Sequence, residues 1–417
     1  MLLTNRSSPR YLTSMTLRIF LTAPNIEGDA TGEPFVAWRW AEALSHEVDL
    51  TVFSFQRANR PQLQETLPKA TVITAPMPDY FSRAPRFEAM AKPHYPFYMR
   101  AVRKALRAAE GPFDLAHQIM PQAARYPIPL RKTGVPYVVG PLGGALETPA
   151  AFRHEDRESA AWYTRARVLD RWRFRYDPWL RASYRDAALI LGVAPYMQDI
   201  LADIDLPRFE PVLELGVPDI PPLPDRPDRS EGDLRLLHVG RGARTKGLRD
   251  LVRAVGLLRD TLPGLTVTSA GTGPEIDQCR REAETLGVAD RIRFLGQIAR
   301  EDVEPLYAES DVFVFPSFRE PAGNVLYEAM RWGLPAIAAN RGGPAWIVDD
   351  TNGIRIDVSE PETYARDIAA AIQRLAGDPA LRRQMGQAGQ ERLRREGLWP
   401  AKAKGLVTIY ESVLAAL

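Results

Sequence analysis

Cysteine, histidine and long apolar runs are all scarce in this sequence. Its 417 residues include one cysteine, Cys279, and five histidines. One cysteine allows no disulfide within the chain, which is typical of a reducing compartment, and no Cys or His spacing typical of a metal site occurs. No apolar stretch approaches the roughly 20 residues that span a bilayer. These absences exclude a disulfide scaffold, a zinc module and an apolar transmembrane anchor.

The charge balance is nearly even, with 54 Lys and Arg against 52 Asp and Glu and a formal net charge of +2. A nucleic-acid-binding protein is usually more basic, so we predict no nucleic-acid partner. Residues 1–14 lack the apolar core of a signal peptide, and we expect a cytoplasmic protein. Asp203 and Asp205 have the spacing of a metal-binding pair but no further ligands, so we predict no metal and no cofactor.

Short apolar strands alternate with amphipathic helices along the chain, as in βαβ units. The length and an apolar fraction of 45% are sufficient for two cores. Residues 216–232 are rich in Pro, Asp and Arg without periodicity, which is typical of a linker. We therefore predict an α/β protein with two Rossmann-like, doubly wound domains, over 16–215 and 216–399, that face a central cleft.

The strongest motif is FREPAGNVLYE, residues 318–328, between a predicted strand and a predicted helix. Gly323 and Asn324 begin this helix, and a helix N-terminus presents unpaired N–H groups and a positive dipole end to an anion. The helix rises about 7.5 Å from Gly323 to Glu328. Glu320 and Glu328 therefore flank a phosphate position, where carboxylates accept hydrogen bonds from sugar and ribose hydroxyls.

A second motif, LLHVGRGARTKG, occupies residues 236–247. Its loop offers Gly240 and then the cations Arg241, Arg244 and Lys246. A diphosphate leaving group gains charge as its bond to the sugar breaks, so preorganised cations stabilise the transition state more than the ground state. Arginine binds phosphate through two parallel bonds, and lysine acts as a point charge.

Two weaker motifs lie on neighbouring strands. Residues 269–274, SAGTGP, form a glycine-rich turn that contains Gly273. Residues 293–298, RFLGQI, end a strand near Ile298, where backbone groups can bind the edge of a base. Each motif is common when taken alone, so neither assigns a function by itself.

In order and spacing, these motifs resemble the family 4 glycosyltransferases, which are retaining enzymes of the GT-B fold. The resemblance covers about residues 16–417 and is densest over 236–356. It implies transfer of a sugar from a nucleotide-diphosphate-sugar to an acceptor hydroxyl, in bacterial polysaccharide or glycolipid biosynthesis. The sequence departs from the family at Ala322, where phenylalanine is frequent, and at Trp346, where an acidic residue is frequent.

The resemblance also implies residue roles in the C-terminal, donor-binding domain. Arg241 and Lys246 would hold the diphosphate, Glu320 would contact the transferred sugar, and Glu328 would contact the ribose. Backbone groups complete the implied donor site; they belong to Gly240, Gly273, Ile298, Gly323, Asn324 and Val325.

The N-terminal, acceptor-binding domain matches the family less closely. His117 ends a predicted strand where the family places a histidine near the transferred sugar, although a second frequent histidine is Ile119 here. A core histidine is the alternative interpretation of His117. Two loops resemble the family's acceptor-side glycine loops, one with Gly28 and one with Gly143 and Gly144. The resemblance further implies that a last helix, over 400–417, returns to this domain.

Residues 158–182 read as one helix in which aromatic residues alternate with arginines. Two interpretations stay open: core packing beneath arginine stems, or peripheral contact with the anionic inner face of a membrane that carries a lipid-linked acceptor. The expected partners are a nucleotide-sugar donor and a saccharide or lipid-linked acceptor. The alternative functions are another GT-B enzyme, such as an epimerase or phosphorylase, and a catalytically silent nucleotide-sugar-binding protein.

Overall fold

The computed structural model describes residues 16–77, 92–156, 167–226 and 233–417, with only the backbone of residues 167–169 and 300. These residues form two sheets whose pairs are all parallel. The first has the order β3-β2-β1-β4-β5-β6-β7 and contains β1 (Arg18–Asn25), β2 (Asp49–Gln56), β3 (Thr71–Pro76), β4 (Leu115–Gln118), β5 (Tyr137–Leu142), β6 (Leu189–Gly192) and β7 (Phe209–Pro211). The second has the order β10-β9-β8-β11-β12-β13 and contains β8 (Leu234–Val239), β9 (Leu265–Ala270), β10 (Ile292–Gly296), β11 (Val312–Phe315), β12 (Ala336–Ala339) and β13 (Gly353–Ile356).

Helices connect the strands and cover both sheets. Those of the first half are α1 (Glu33–Leu44), α2 (Leu63–Thr66), α3 (Tyr95–Ala108), α4 (Arg167–Tyr176), α5 (Pro178–Arg185) and α6 (Tyr196–Ile200). Those of the second half are α7 (Leu248–Leu257), α8 (Ile276–Thr285), α9 (Arg300–Glu309), α10 (Asn324–Arg331), α11 (Gly342–Ile347), α12 (Pro361–Gly377), α13 (Pro379–Arg392) and α14 (Trp399–Ala415). The predicted alternation of strands and helices is confirmed.

The central strands explain where ligands can bind. All four residues of β11 are buried, as expected for a parallel strand that is covered on both faces. Each sheet reverses its strand order beside its first strand, between β1 and β4 and between β8 and β11. Parallel α/β sheets bind ligands at the carboxyl ends of the strands beside such a reversal. The loops after β1, β4, β8 and β11 are therefore the expected site positions.

Two elements of the first domain differ from the predictions, a helical segment and an edge strand. The described part of the predicted helix 158–182 is two helices, because Pro178 begins α5 and the Asp177 carboxylate caps it by accepting from the backbone N–H groups of Trp179 and Leu180. Residues 157–166 lie outside the described residues. The short edge strand β7 was not predicted, because three residues ending in Pro211 carry no periodicity.

The last helix, α14, lies against α1 of the first domain. The Trp399 and Trp40 rings meet edge to face with centroids 5.5 Å apart. Lys402 Nζ donates to the carbonyl oxygen of Leu213 at 2.6 Å. Beside these contacts, Val217 pairs with the chain at Leu398, so the two segments that pass between the domains run side by side.

Residues 145–156, which we call the interdomain strap, leave the first domain after β5 and dock on the second. Phe152 is fully buried, and its ring centroid lies 4.4 Å from that of Phe318 and 5.8 Å from that of Tyr364. Phe152 therefore belongs to the core of the second domain. Nearby, Glu155 forms ion pairs with Arg244 and Arg253 at 2.6 and 2.8 Å.

Candidate functional site

Lys246 and Glu320 meet at the carboxyl edge of the second sheet. Lys246 closes the loop after β8, Glu320 lies in the loop after β11, and the ammonium and carboxylate form an ion pair. The two side chains are 19% and 15% exposed. The other carboxylate oxygen of Glu320 accepts from the backbone N–H of Gly323 at 3.3 Å. The structure therefore brings together three of the residues predicted to form the donor site.

The start of α10 has the geometry of an anion site. Gly323 has a φ of +87°, a left-handed conformation that favours glycine, and no side chain caps the helix there. Asn324 and Val325 follow as the first two helical residues, both half-buried. Within the second turn, Glu328 accepts a hydrogen bond from the Tyr307 hydroxyl at 3.0 Å, which orients its carboxylate.

Hydrogen bonds join the loops that follow β8, β9 and β10. The backbone N–H of Gly240 donates to Ala270 O at 3.0 Å, and that of Gly242 donates to Thr272 O at 2.8 Å. Gly273 has a φ of +153°, and a Cβ there would lie 2.2 Å from Gly242 O. The glycines therefore allow two loops to touch through their backbones. The half-buried Ile298 lies in the third loop. A bond from Gly271 N to Gly296 O joins the end of β10 to the second loop.

The cations of the second motif have different environments. Arg241 is exposed and Lys246 is half-buried at the cleft. Arg244 is buried and ion-paired with Asp250 and Glu155, both at 2.6 Å. The expectation that Arg244 contacts phosphate is therefore wrong, because the side chain holds the strap instead. Burial alone would raise the pKa of Glu155, but hydrogen bonds and charge from Arg253 and Arg244 lower it to about 2.

His117 is not part of the cleft surface. It is fully buried, with its two ring nitrogens 2.6 Å from the Tyr410 hydroxyl and from Gly140 O. Since the carbonyl only accepts, Nε2 donates to it and Nδ1 accepts from Tyr410. Burial lowers the pKa of His117 to about 4, so the ring is neutral. The prediction that it contacts the transferred sugar is wrong, and the core interpretation holds.

Another histidine, His94, is also buried, against the ring of Phe55, and burial lowers its pKa to about 4. The single cysteine, Cys279, is fully buried as well, and burial raises the pKa of its thiol to about 12.

The two predicted acceptor-side loops, one with Gly143 and Gly144 and one with Gly28, lie in different parts of the structure. The backbone N–H of Gly144 donates to the Tyr196 hydroxyl at 3.1 Å, and the N–H of Gly143 donates to Gln122 O at 3.0 Å. The same loop continues into the strap at Leu146, which packs near Gly342 beside Glu320. The loop therefore reaches the side of the cleft that the second domain forms.

The loop with Gly28 borders a separate cavity of about 210 Å³, on the carboxyl side of β1 and β2. A Cβ on Gly28 would lie 2.8 Å from the Trp38 ring, so glycine is needed where the loop crosses this indole. The cavity belongs to the first domain, as expected for an acceptor-side loop.

Glu214 is a site residue that sequence reasoning missed. It lies between β7 and the linker, and its carboxylate accepts from the Asn324 side-chain amide at 3.3 Å. Burial, together with the charges of Glu33 and Glu320, raises its pKa to about 7, although the Asn324 hydrogen bond opposes the shift. No motif marks Glu214, because its partners are distant in sequence.

No group of three or more potential metal-ligating side chains occurs among the residues that the structure describes. Within the same ranges, no helix is both long and apolar enough to cross a membrane. Residues 157–166 lie outside the described ranges, so neither finding applies to them.

The fold defines the class of protein: two parallel α/β domains that face a cleft form the GT-B fold, and this prediction is confirmed by solved structures. Sucrose-phosphate synthase of Thermosynechococcus elongatus aligns with a TM-score of 0.62 at 22% identity, over 96% of this chain and 100% of that one. HepE of Anabaena, in complex with UDP, aligns with a TM-score of 0.62 at 18% identity, over 95% and 100%. At these identities the likeness shows the fold alone.

Sequence comparisons find relatives of the second domain. Residues 219–392 match the family model described as Glycosyl transferases group 1. The lipopolysaccharide core biosynthesis glycosyltransferase LpsE of Rhizobium meliloti is 35% identical over 159 residues, 38% of this chain and 44% of LpsE. Glycogen synthase of Mycobacterium tuberculosis is 33% identical over 179 residues, 43% of this chain and 42% of that one. The matched part therefore spans less than half the length of these curated relatives.

Proposed function

We propose that the protein is a retaining, metal-independent glycosyltransferase that moves a sugar from a nucleotide-diphosphate-sugar to an acceptor hydroxyl. One observation carries the proposal: Lys246 and Glu320 pair directly beside the uncapped N-terminus of α10. The match of residues 219–392 to group 1 glycosyl transferases and the glycosyltransferase names of the relatives support it. The name of the relative LpsE, a lipopolysaccharide core biosynthesis glycosyltransferase, favours a saccharide or lipid-linked acceptor. We further propose that the transfer takes place in the cytoplasm.

In the proposed reaction, the bond from the anomeric carbon to the diphosphate breaks, and its electron pair leaves on the phosphate oxygen. Lys246, Arg241 and the N–H groups at the start of α10 stabilise the charge that develops there. The acceptor oxygen forms the new bond to the anomeric carbon on the face that the diphosphate leaves, and its proton passes to the departing diphosphate. Glu328 binds the ribose hydroxyls.

A thermal-shift panel tests the donor site. UDP, GDP, ADP and their glucose conjugates are added to wild type and to Glu328→Ala. UDP is the first candidate because the structurally similar HepE binds it. A nucleotide at about 100 times its Kd stabilises the folded protein by roughly 2.7 kcal/mol. We expect one base to stabilise wild type and Glu328→Ala to lose most of that shift.

Glu309→Ala is the control for this panel, because it removes a carboxylate from the end of the neighbouring helix α9. It should respond to the nucleotide as wild type does. If no nucleotide stabilises wild type, the donor-site proposal fails. If the nucleotide binds but no sugar is transferred to any acceptor or to water, the silent binding protein becomes the better description.

We also propose that the first domain contacts an anionic membrane. Four of its large aromatic residues are 50% to 58% exposed, namely Phe97, Trp172, Tyr176 and Trp179. Trp179 also borders an open groove of about 730 Å³, and the other residues along this groove include Arg100, Arg103, Lys104 and Arg107 of α3. Exposed aromatic rings beside cations suit an anionic lipid surface. Phe174, in contrast, is buried in the core, which fits the core-packing interpretation for this residue.

Flotation with liposomes tests the membrane proposal. Vesicles that contain phosphatidylglycerol should carry the wild-type protein upward, whereas pure phosphatidylcholine vesicles should not. Each Lys or Arg near an anionic surface contributes about 1 kcal/mol, so Arg103→Glu with Arg107→Glu should weaken binding by at least about 30-fold. Trp346→Ala, which removes an exposed tryptophan from the second domain, should float as wild type does. Wild-type protein that stays at the bottom with anionic vesicles would refute membrane contact.

A further inference from the structure

Two buried polar atoms lack partners where the two domains meet. Glu214 comes from the segment that leaves the first sheet, and Asn324 begins α10 of the second domain. Their side chains form one hydrogen bond, from Asn324 Nδ2 to Glu214 Oε1 at 3.3 Å. The remaining oxygen of each, Glu214 Oε2 and Asn324 Oδ1, is buried without a hydrogen-bond partner. Each such group costs about 1–3 kcal/mol, so a missing partner is expected.

The backbone around Glu214 is fixed, so the unpaired atom is not explained by a loose loop. The carbonyl oxygen of Glu214 accepts from the Trp40 indole at 2.7 Å. The preceding carbonyl, of Leu213, accepts from Lys402 Nζ at 2.6 Å. Trp40 and Lys402 belong to α1 and α14, which are packed together, so two helices hold this segment against the cleft.

Glu214 and Asn324 lie beside residues that we assign to the binding of the transferred sugar. Asn324 directly follows Gly323, whose N–H bonds to Glu320. Glu33 and Glu320 are near enough to Glu214 to raise the pKa of its carboxyl, and Lys402 opposes them. These carboxylates disfavour a further anion next to the Glu214 side chain. They favour neutral groups there that donate hydrogen bonds. The chemistry that fits two unpaired oxygen acceptors is a pair of sugar hydroxyls.

We infer that Glu214 and Asn324 form a clamp that binds a hydroxyl-bearing face of a sugar in the cleft. This inference rests on the proposed function, and it assigns a specificity role to two side chains from different domains. The sugar enters while the domains are apart, and it supplies the missing hydrogen bonds when they close. The transferred sugar and the acceptor sugar share this chemistry, and the test separates them.

The test compares ligands that differ only in the sugar. Kd values for UDP and UDP-glucose, or for the base that stabilises wild type, are measured on wild type, Glu214→Ala and Asn324→Ala. If the clamp holds the transferred sugar, Glu214→Ala binds the nucleoside diphosphate as wild type does. Asn324→Ala keeps the backbone N–H at the start of α10 and therefore also retains nucleoside diphosphate binding. The affinity of both variants for the nucleotide sugar then falls by about 10-fold or more, because a site built for hydroxyls loses its acceptors.

Further arms of the experiment separate the remaining outcomes. A raised KM for the acceptor with unchanged nucleotide-sugar affinity assigns the clamp to the acceptor sugar. Glu214→Gln, which keeps the hydrogen bond from Asn324, should recover part of the lost affinity, and Glu210→Ala in β7 is the matched control. Unchanged affinity and KM in folded Glu214→Ala and Asn324→Ala would overturn the inference. Absence of nucleotide binding by wild type would instead refute the proposed function.

Discussion

Replacing Lys246 with methionine should lower the rate constant of sugar transfer by about 100- to 1,000-fold. Removal of one preorganised group that stabilises developing charge has this typical effect. Lys246 is 19% exposed and lies at the edge of the cleft, where little water can replace the lost ammonium. The loss should fall mainly on kcat, since the charge on the diphosphate grows as the bond to the sugar breaks.

Initial rates of nucleotide release, with the donor that gives the largest thermal shift, measure this effect. Lys246→Arg keeps the charge in a different geometry and should be intermediate. Lys404→Met is the control, because Lys404 is an exposed lysine on α14. A Lys246→Met enzyme with more than a tenth of the wild-type kcat would contradict the role assigned to Lys246.

Replacing Phe152 with alanine should destabilise the second domain by about 3–5 kcal/mol, the usual cost of deleting a buried phenylalanine ring. The ring is fully buried and in contact with Phe318 and Tyr364, although Phe152 itself comes from the first domain. Its loss also removes the aromatic face under the Arg244 guanidinium, which lies 5.2 Å from the ring centroid.

Urea unfolding followed by circular dichroism measures this change in the free energy of unfolding. Phe97→Ala is the matched control, since the Phe97 ring is half exposed on α3 and its loss should change stability by no more than about 0.5 kcal/mol. A change below about 1 kcal/mol for Phe152→Ala would show that the strap does not contribute to the second core.

The arrangement of residues 318–328 was predictable because the pattern that determines it is local. Residues 318–328 contain a strand end, a glycine turn and a helix start in eleven consecutive positions, so spacing alone places Glu320 and Glu328 around Gly323. The alternation of apolar strands and amphipathic helices likewise follows from neighbouring residues, and it predicts a parallel sheet in each domain.

The remaining site depends on contacts between distant residues. Glu214 gains its importance from Asn324, 110 residues away, and from Glu33 on α1. His117 lies near the carboxyl end of β4, which is directed to the cleft, yet Tyr410 of α14 contacts its ring and separates it from the cleft. Neither partner is visible in a local pattern, so one residue was missed and the other was placed wrongly. The strap escaped prediction for the same reason.

The strap limits how the two halves of the molecule can move. The segments at Val217 and Leu398 run side by side and act as one pivot, whereas Phe152 anchors a second connection elsewhere. Two domains that are connected at two places have fewer ways to rotate against each other than two domains that share a single linker. Two such connections restrict rotation of one domain against the other more than the paired segments at Val217 and Leu398 would alone.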